Sequence, residues 1–398
     1  MADIVKKIVI VGGGFGGVKC ALDLARKKIP NAKIILISNR TYFEYTPALY
    51  RVVTGKSPMG AGLPLRDIFK NKNVEVLIDT IVRVDLNGKT LEGISGSNYF
   101  FDFLVLALGS ETTYFNIPGL KELSFGFKSI NESLKLKKHL HNLFAAVLPI
   151  HIVIVGGGAS GTELAGELAV YAKELAKNHN INSSLVNIDL IESASKLLPE
   201  FPEDFAEKVK DRLRSLGVNV LLNRTLLKEE IGGISLKDME METKTVIWTA
   251  GILANHLYSE TEGFILDKNG RVAVDEFLQA KGWSDVFVIG DAADIPYSGM
   301  AQTAICGGRH AAEMIKNKIF GIKFFPYRSK KPSYAIPVGP RWAAVLIGNF
   351  KIYGKIGWLL RRLADFHYFL SIFSSKKAIS VFLSGRTLCE TCAICETE

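Results

Sequence analysis

Two short stretches of the chain have the glycine spacing that a bound dinucleotide requires. Residues 12–17 read Gly-Gly-Gly-Phe-Gly-Gly, and residues 156–161 read Gly-Gly-Gly-Ala-Ser-Gly. In both stretches the glycine at position 1 permits a tight turn, and the glycine at position 3 lets a pyrophosphate approach the backbone. The glycine at position 6 lets a helix pack closely on a strand. Backbone N–H groups at the start of that helix would then meet the phosphates. We predict two dinucleotide sites, one with Gly12, Gly14, Phe15, Gly16 and Gly17, the other with Gly156, Gly158 and Gly161.

The residue that ends the next strand normally binds the ribose hydroxyls. After the second glycine stretch this residue is Glu192, whose carboxylate can accept from both hydroxyls and would repel a 2′-phosphate, which favours NADH over NADPH. A solvated acid at a strand end is the alternative interpretation. After the first stretch the strand ends in Ser38, so backbone groups or Arg40 are expected to assist at the adenosine end.

The elements that must hold these glycines are predicted from apolar, β-branched runs. Such runs occur at residues 7–11, 33–37, 103–107 and 151–155, and they are typical of buried parallel strands. A helical stretch at 16–28 completes a β-loop-α-β unit, and residues 151–192 repeat that plan. Further strands are predicted at 246–249 and 286–289, and a helix at 301–318. The predicted fold class is α/β with two Rossmann-like dinucleotide-binding domains.

Composition limits the remaining possibilities. The chain has 398 residues and a formal charge of +9, with 11 basic and four acidic residues from residue 326 onward. No nucleic-acid-binding motif accompanies this basic excess, which favours an anionic lipid surface over nucleic acid. A membrane-spanning helix is not expected. The start of the chain indicates a first strand rather than a secretory signal, and the five cysteines suggest no disulfide framework.

Several stretches beyond the glycines resemble one family, the type II NADH:quinone oxidoreductases, which are single-subunit, non-pumping NADH dehydrogenases of the two-dinucleotide-binding flavoprotein superfamily. The stretches that carry the resemblance are residues 39–50 (NRTYFEYTPALY), 107–110 (ALGS), 155–168, 246–251 (VIWTAG), 289–291 (IGD) and 301–304 (AQTA). The resemblance implies that non-covalent FAD occupies the first site and NADH the second. It also implies that NADH reduces the flavin, which then passes two electrons to a membrane quinone without proton pumping.

Site residues follow from the same resemblance. Asp291 would hold the flavin ribityl chain, and the helix that begins at Ala301 would direct its positive end at the flavin. Gln302 would reach the quinone, and Glu163 would face the nicotinamide and flavin, with an ordinary helix-start acid as its alternative. The resemblance also implies further cofactor contacts at Ile81, Ala107, Gly109, Ala250 and Gly251 and quinone contacts at Pro47, Tyr50, Gln302, Cys306 and Lys351. Cys306 stands where the family has a second pocket glutamine, and a buried, inert thiol is its alternative interpretation.

The predicted domains are an FAD-binding domain at 1–116 and 268–325, an NADH-binding domain inserted at 117–267, and a C-terminal quinone-site and membrane-docking element at 326–398. Residues 355–373 place seven large apolar side chains at three- and four-residue steps, as one stripe of a helix. Arg361, Arg362 and Asp365 are predicted on the opposite face. With Lys376, Lys377 and Arg386 following, this pattern is typical of a helix that lies in a membrane interface. The predicted location is the cytoplasmic face of the cell membrane. Packing on a core or on the partner of a homodimer is the alternative.

Three other functions are compatible with parts of the pattern. These are a soluble NADH-dependent ferredoxin- or rubredoxin-type reductase, a sulfide:quinone oxidoreductase, and a non-catalytic flavoprotein that senses NADH. The sulfide enzyme needs paired redox cysteines, whereas Cys20 and Cys306 have no evident partner. The tail carries Cys389, Cys392 and Cys395 in C-x2-C-x2-C spacing, without the fourth ligand that zinc or an iron–sulfur cluster normally needs. No metal site is therefore predicted, and lipidation or a metal shared between chains is the alternative.

Overall fold

The protein divides into two compact units. The structure, a computed structural model, describes residues 5–146 and 149–385. Within them, the first unit comprises 5–44, 63–111 and 252–332, and the second comprises 45–62, 112–251 and 333–385. These bounds differ from those of the three predicted domains, and residues 333–385 belong to the second unit. Arg386 and the three tail cysteines lie outside the described residues.

A five-stranded parallel sheet forms the centre of the first unit. Its strands, in spatial order, are Val286–Val288, Phe103–Leu106, Lys6–Val11, Ala32–Ser38 and Glu75–Ile78. The residues from Ile8 to Val11 and from Ile34 to Ser38 are buried, because both faces of this sheet are covered. The predicted strands of this unit are therefore confirmed, with ends that differ by one or two residues.

Helices and a small antiparallel sheet complete the first unit. The helices are Phe15–Lys27, Leu65–Ile68, Leu257–Glu260 and Ala301–Phe320, and the antiparallel strands are Ile81–Asp85, Thr90–Gly93 and Asn98–Phe100. The long helix Ala301–Phe320 packs against Phe15–Lys27 with no side chain between them at one point. A Cβ on Gly308 would lie only 2.3 Å from the carbonyl oxygen of Gly16. The two predicted helices are thus confirmed and lie side by side.

The second unit repeats the parallel arrangement. Its sheet has the spatial order Phe125–Gly126, Thr245–Trp248, Ile150–Val155, Val186–Ile191 and Val218–Leu221. In both units the glycine stretch follows the central strand, and the strand next in sequence lies beside it. The duplication inferred from the two β-loop-α-β patterns is therefore confirmed.

The second unit contains more helices than the sequence predicted. Its helices are Leu49–Val53, Leu120–Leu123, Ile130–Ala146, Ala159–Asn178, Glu203–Leu216, Gly354–Ile372 and Ser375–Ser384. Two antiparallel sheets accompany them, with strands Leu226–Glu230, Gly233–Leu236 and Glu240–Glu242, then Tyr334–Pro337, Ala343–Ile347 and Phe350–Ile352. The main core of this unit is packed from the parallel strands and the helices around them.

Short elements occur between these segments. The remaining strands are Tyr42–Glu44, Gly62–Pro64, Ser110–Thr112 and Ile252–Ala254, and single 3-10 turns occur at Thr46–Ala48, Pro58–Gly60, Ser183–Leu185 and Gly290–Ala292. Among the described residues, no helix combines the length and the hydropathy needed to cross a bilayer.

Candidate functional site

The first glycine stretch makes the tight turn that its sequence predicts. Gly12 has φ +116°, a conformation that side chains disfavour, and a Cβ on Gly17 would lie 1.9 Å from the carbonyl oxygen of Gly12. Gly14 differs from both, because a Cβ there would meet nothing within 4 Å. It is exposed and precedes the helix Phe15–Lys27, which has neither a capping side chain nor an acid in its first turn. The open helix start and the empty space at Gly14 fit an anionic pyrophosphate.

The residues beside this turn explain why a serine ends the next strand. Ser38 is buried, and a Cβ on Gly13 would lie 2.5 Å from its hydroxyl oxygen, so a larger acid would crowd the turn. That hydroxyl accepts the backbone N–H of Arg40 at 3.2 Å. The guanidinium of Arg40 pairs with Glu44. Ser38 therefore lies against the glycine turn, while the contribution of Arg40 to a nucleotide stays a prediction.

The remaining predicted residues of the first unit lie on several elements. The carbonyl oxygen of Ala107 faces the turn at Gly12, and Gly109 has φ +72° just beyond it. The hydroxyl of Ser110 donates to Asp291 at 2.8 Å, which orients the carboxylate in its 3-10 turn. Ile81 is a buried residue at the start of the antiparallel sheet.

Two predicted quinone contacts are on the helix Ala301–Phe320. At its start, Ala301, this helix has no capping side chain and no acid in the first turn. Its free backbone N–H groups can therefore stabilise negative charge. Gln302 is exposed and Cys306 is half-buried one turn later. The other three, Pro47, Tyr50 and Lys351, belong to the second unit.

The second glycine stretch repeats the geometry of the first. Gly156 also has φ +116°, and a Cβ on Gly161 would lie 2.0 Å from the carbonyl oxygen of Gly156. Gly158 is exposed, with open space where its Cβ would lie, and the helix Ala159–Asn178 starts without a capping side chain or a first-turn acid. Ala250 borders Gly156, and Gly251 follows with φ +89°. This second cradle therefore also fits a dinucleotide pyrophosphate.

Glu192 lies directly against this second turn. Its carboxylate accepts the backbone N–H groups of Gly157 at 2.7 Å and Ala194 at 2.8 Å, together with the Ser193 hydroxyl at 3.1 Å. Lys196 is directed elsewhere, since its ammonium donates to the carbonyl oxygen of Phe201 at 2.7 Å. The Glu192 carboxylate is thus held beside the glycine turn. Its Oε2 accepts one hydrogen bond from the described residues, that of Gly157, and can accept another.

Glu163 lies in the first turns of the helix Ala159–Asn178 and is partly buried. Loss of hydration raises the pKa of its carboxyl group to about 8, although the positive charges of Arg361 and Arg51 oppose that rise. A carboxyl group with such a pKa holds its proton at neutral pH and can release it nearby.

The predicted quinone contacts of the second unit have partners within it. Tyr50 is buried, and its hydroxyl accepts the Nε–H of Arg51 at 3.0 Å. The carbonyl oxygen of Pro47 accepts from Arg361, also at 3.0 Å. Lys351 forms an ion pair with Asp204.

The helix Gly354–Ile372 lies where the sequence predicted it, but the expected exposure of its charged residues was wrong. Arg361 and Arg362 were expected on a solvated face, yet both are buried, and Asp365 is 0% exposed. Most of the apolar stripe also faces outward, with Ile356 65% and Leu359 52% exposed. The reason is that the charged residues find partners inside the unit, so the helix packs through its ion pairs.

Those partners were missed by the sequence analysis. Asp365 accepts the hydroxyl of Tyr45 at 2.5 Å and the guanidinium of Arg51 at 3.0 Å, and it also pairs with Arg361. Burial would raise the pKa of Asp365, but the charges of Arg361 and Arg51 outweigh it and hold that pKa below its usual value. The only sequence signal was the four-residue spacing of Arg361 and Asp365 on one helix face. We call these four residues the Asp365 cluster.

Two five-stranded parallel sheets, each with an open glycine turn after its central strand, define the class of two-dinucleotide-binding oxidoreductases. Comparison with known sequences agrees. The chain belongs to the pyridine nucleotide-disulphide oxidoreductase family, whose sequence model matches residues 6–311.

Individual relatives cover most of the chain. It is 29% identical over 410 residues to the type II NADH:quinone oxidoreductase Ndh of Mycobacterium tuberculosis, spanning 95% of this chain and 87% of that protein. It is 27% identical to a type II NADH:quinone oxidoreductase of Staphylococcus epidermidis, spanning 92% and 95%.

Solved structures share the fold. NDH2 from Plasmodium falciparum in complex with NADH superposes with a TM-score of 0.85 at 19% identity, covering 97% of this chain and all of that one. The sulfide:quinone oxidoreductase of Aquifex aeolicus gives 0.82 at 20% identity, with 98% of each chain covered. The predicted fold class is therefore confirmed.

Proposed function

We propose that the protein oxidises NADH with non-covalently bound FAD and passes the two electrons to a quinone. The observation that carries this proposal is the pair of glycine turns, each with an open helix start and space at its middle glycine. Two dinucleotides that are held by one chain serve hydride transfer between them. We infer that the electron acceptor is a quinone, because both sequence relatives described above are NADH:quinone oxidoreductases.

The two turns differ in a way that supports one assignment. Glu192 presents a carboxylate beside the second turn, which suits the two ribose hydroxyls of NADH. Ser38 fills the equivalent place beside the first turn, and Asp291 lies in the same unit with its carboxylate fixed by Ser110. We therefore place FAD in the first unit and NADH in the second.

Side chains contribute position and charge rather than a nucleophile. FAD, when bound, supplies the hydride acceptor and the two-electron donor. The open start of the helix Ala301–Phe320 would stabilise negative charge that develops nearby. Glu163 holds a proton at neutral pH, which suits a group that supplies protons when a quinone is reduced. Gln302 is exposed at the first turn of its helix and is our candidate for contact with the quinone head group.

The thiols do not support sulfide oxidation. Cys20 is fully buried, and burial raises the pKa of its thiol, which makes it inert. Cys306 is the other described free cysteine, and no disulfide joins the two. A sulfide:quinone oxidoreductase needs two reactive thiols that exchange with each other.

We also propose that the C-terminal helices hold the protein on the cytoplasmic face of a membrane. The outward face of Gly354–Ile372 exposes Ile356, Leu359, Leu363 and Leu370, and the next helix exposes Ile379 and Leu383. Lys376 and Lys377 are exposed at the start of that next helix and can meet anionic head groups. Arg361 and Arg362 take no part in this contact, because they are buried in the second unit.

Anaerobic stopped-flow absorbance tests the proposed reaction. Mixing the purified flavoprotein with NADH should bleach the flavin, and a soluble quinone added next should restore its colour within the turnover time. NADPH serves as the control and should bleach it far more slowly. A flavin that NADH does not reduce contradicts the proposal. Reoxidation by a ferredoxin-type protein but not by quinone would favour a soluble reductase instead.

A further inference from the structure

The residues that follow the strand Phe103–Leu106 lie directly against the first glycine turn. A Cβ on Gly12 would be only 2.3 Å from the carbonyl oxygen of Ala107 and 3.2 Å from the backbone nitrogen of Leu108. We call residues 107–111 the Ala107 loop. Because there is no free space between this loop and the turn that is proposed to hold FAD, a shift of the loop would change the shape of the cofactor site.

The backbone of the Ala107 loop is hydrogen-bonded to a distant segment of the same unit. The N–H of Leu108 donates to the hydroxyl of Tyr258 at 3.3 Å, 150 residues further along the chain. The carbonyl oxygen of Gly109, which has φ +72°, accepts the backbone N–H of Asn255 at 3.2 Å. Tyr258 is 1% exposed and belongs to the core of the first unit, so its hydroxyl is a fixed partner for the loop.

Side chains extend this connection to the end of the loop. The carboxylate of Glu111 accepts the side-chain N–H of Asn255 and the Nδ1–H of His256, the latter at 2.9 Å. The hydroxyl of Ser110 donates to Asp291 at 2.8 Å. Each of the last four residues of the Ala107 loop is therefore hydrogen-bonded to another segment of the first unit, and three of them are bonded to the segment that carries Asn255.

We propose that Tyr258 and Asn255 are positioning residues whose hydrogen bonds hold the Ala107 loop in the place that bound FAD requires. A loop that is already in place costs less affinity when the cofactor binds. Without these bonds the loop would adopt other positions in the cofactor-free protein, and FAD would bind only to the fraction that is correctly arranged. The inference rests on the proposed function for the presence of FAD in the first unit.

Tyr258→Phe tests the backbone contact, because it removes only the hydroxyl and leaves the N–H of Leu108 facing an apolar ring. We expect the Kd for FAD to rise about 10-fold, as the loss of one hydrogen-bond partner would cause. Tyr171→Phe is the matched control. Tyr171 is 3% exposed, and its hydroxyl is bonded at 2.9 Å to His141 in the second unit. This control should keep the wild-type Kd for FAD.

Asn255→Asp tests the side-chain contact with almost no change of shape. The new carboxylate can still accept the backbone N–H of Leu257, as Asn255 does at 3.1 Å, but it would repel the carboxylate of Glu111. We expect the Kd for FAD to rise about 10-fold. Adding Glu111→Gln exchanges donor and acceptor, so the double variant should regain most of the lost affinity. A role in stability alone would not be rescued by this exchange.

The Kd is measured by serial dilution of each purified holoenzyme, followed by the fluorescence of the released FAD. The proposal is overturned if Tyr258→Phe and Asn255→Asp bind FAD with the wild-type Kd, if Tyr171→Phe weakens binding as much as they do, or if Glu111→Gln fails to rescue Asn255→Asp. Failure of the proposed function would be visible separately, because the wild-type protein would then lack FAD or would hold FAD that NADH does not reduce.

Discussion

The carboxylate of Glu192 accepts the backbone N–H of Gly157, 2.7 Å away, so the acid and the second glycine turn are held as one piece. Replacement by alanine removes the acceptor for the ribose hydroxyls and frees this N–H. We expect Glu192→Ala to lower kcat/KM for NADH about 10- to 100-fold, because hydrogen bonds to a charged group contribute about 1.5–3 kcal/mol. The efficiency with NADPH should fall much less. Steady-state kinetics with both nucleotides check this, with the exposed Glu200→Ala as control, and an unchanged ratio of efficiencies would place the discrimination elsewhere.

Gly14 offers an unusually clean test of cofactor binding. A valine at this position has open space around its Cβ and an ordinary φ of −86°, so Gly14→Val should fold and yet occupy the space proposed for the FAD pyrophosphate. We expect the purified variant to lack flavin absorbance. Gly158→Val is the reciprocal control, since it should keep its flavin but lose reduction by NADH. Full flavin content in Gly14→Val would refute the assignment of FAD to the first unit.

The outward apolar stripe predicts membrane binding that can be removed without disturbing the core. Ile356, Leu359 and Leu363 are all more than half exposed, and a fully buried side chain of this size contributes about 1.5–3 kcal/mol. The triple replacement by serine should abolish flotation with anionic liposomes, while NADH still bleaches the flavin. Truncation before this helix is a poorer test, because it would leave the partly buried Arg51 without Asp365.

Three exposed isoleucines elsewhere provide the control for that variant. Ile94, Ile231 and Ile265 are 73%, 94% and 60% exposed, and their joint replacement by serine should leave liposome binding unchanged. High salt should weaken but not abolish binding of the wild-type protein, since only the charged contribution is screened. Flotation that survives in the Ile356, Leu359 and Leu363 variant would mean that the anchor lies elsewhere.

The burial of Glu229 predicts that stability falls as the pH rises from about 5 to about 8. Burial raises the pKa of its carboxyl group to about 8 from an ordinary 4.5, and its Oε2 has no hydrogen-bond partner among the described residues. Folding therefore favours the protonated form, so the unfolded chain ionises first and stability falls as pH rises from about 4.5 toward 8.

Urea unfolding at several pH values checks this effect. We expect Glu229→Gln to reduce the loss of unfolding free energy between pH 5 and pH 8 by about 2–4 kcal/mol. Glu240→Gln, at an exposed acid of the same antiparallel sheet, should keep the wild-type pH dependence. Equal slopes for all three proteins would show that Glu229 is ionised in the folded state.

Local patterns predicted the nucleotide-binding parts of this fold. Each glycine turn, its preceding strand and its following helix lie within about thirty residues, and their apolar periods and glycine spacing follow from local geometry. The small antiparallel sheets escaped prediction because strands such as Gly233–Leu236 are too short to show a period.

The burial of the charged face of the C-terminal helix could not be predicted for a different reason. Its charged face is buried by Tyr45 and Arg51, which lie 320 and 314 residues from Asp365 in the chain. The spacing of apolar and charged residues shows that the helix has an apolar face and a charged face, but it does not show which face packs against the protein. Only the tertiary partners decide that, and no periodicity reports them.

The separation of Arg51 and Asp365 also constrains how the protein is made. During synthesis Arg51 leaves the ribosome 314 residues before the carboxylate that neutralises it. The ion pair that accompanies its partial burial in the second unit must therefore wait for almost the entire chain, because removing a guanidinium from water without a partner is costly. The adhesive outer face of the C-terminal helix is presented in its final orientation only when this pairing forms. With membrane attachment as proposed above, a nascent chain that stops short would lack both the completed core of the second unit and the surface for attachment, so that folding and attachment would be completed together.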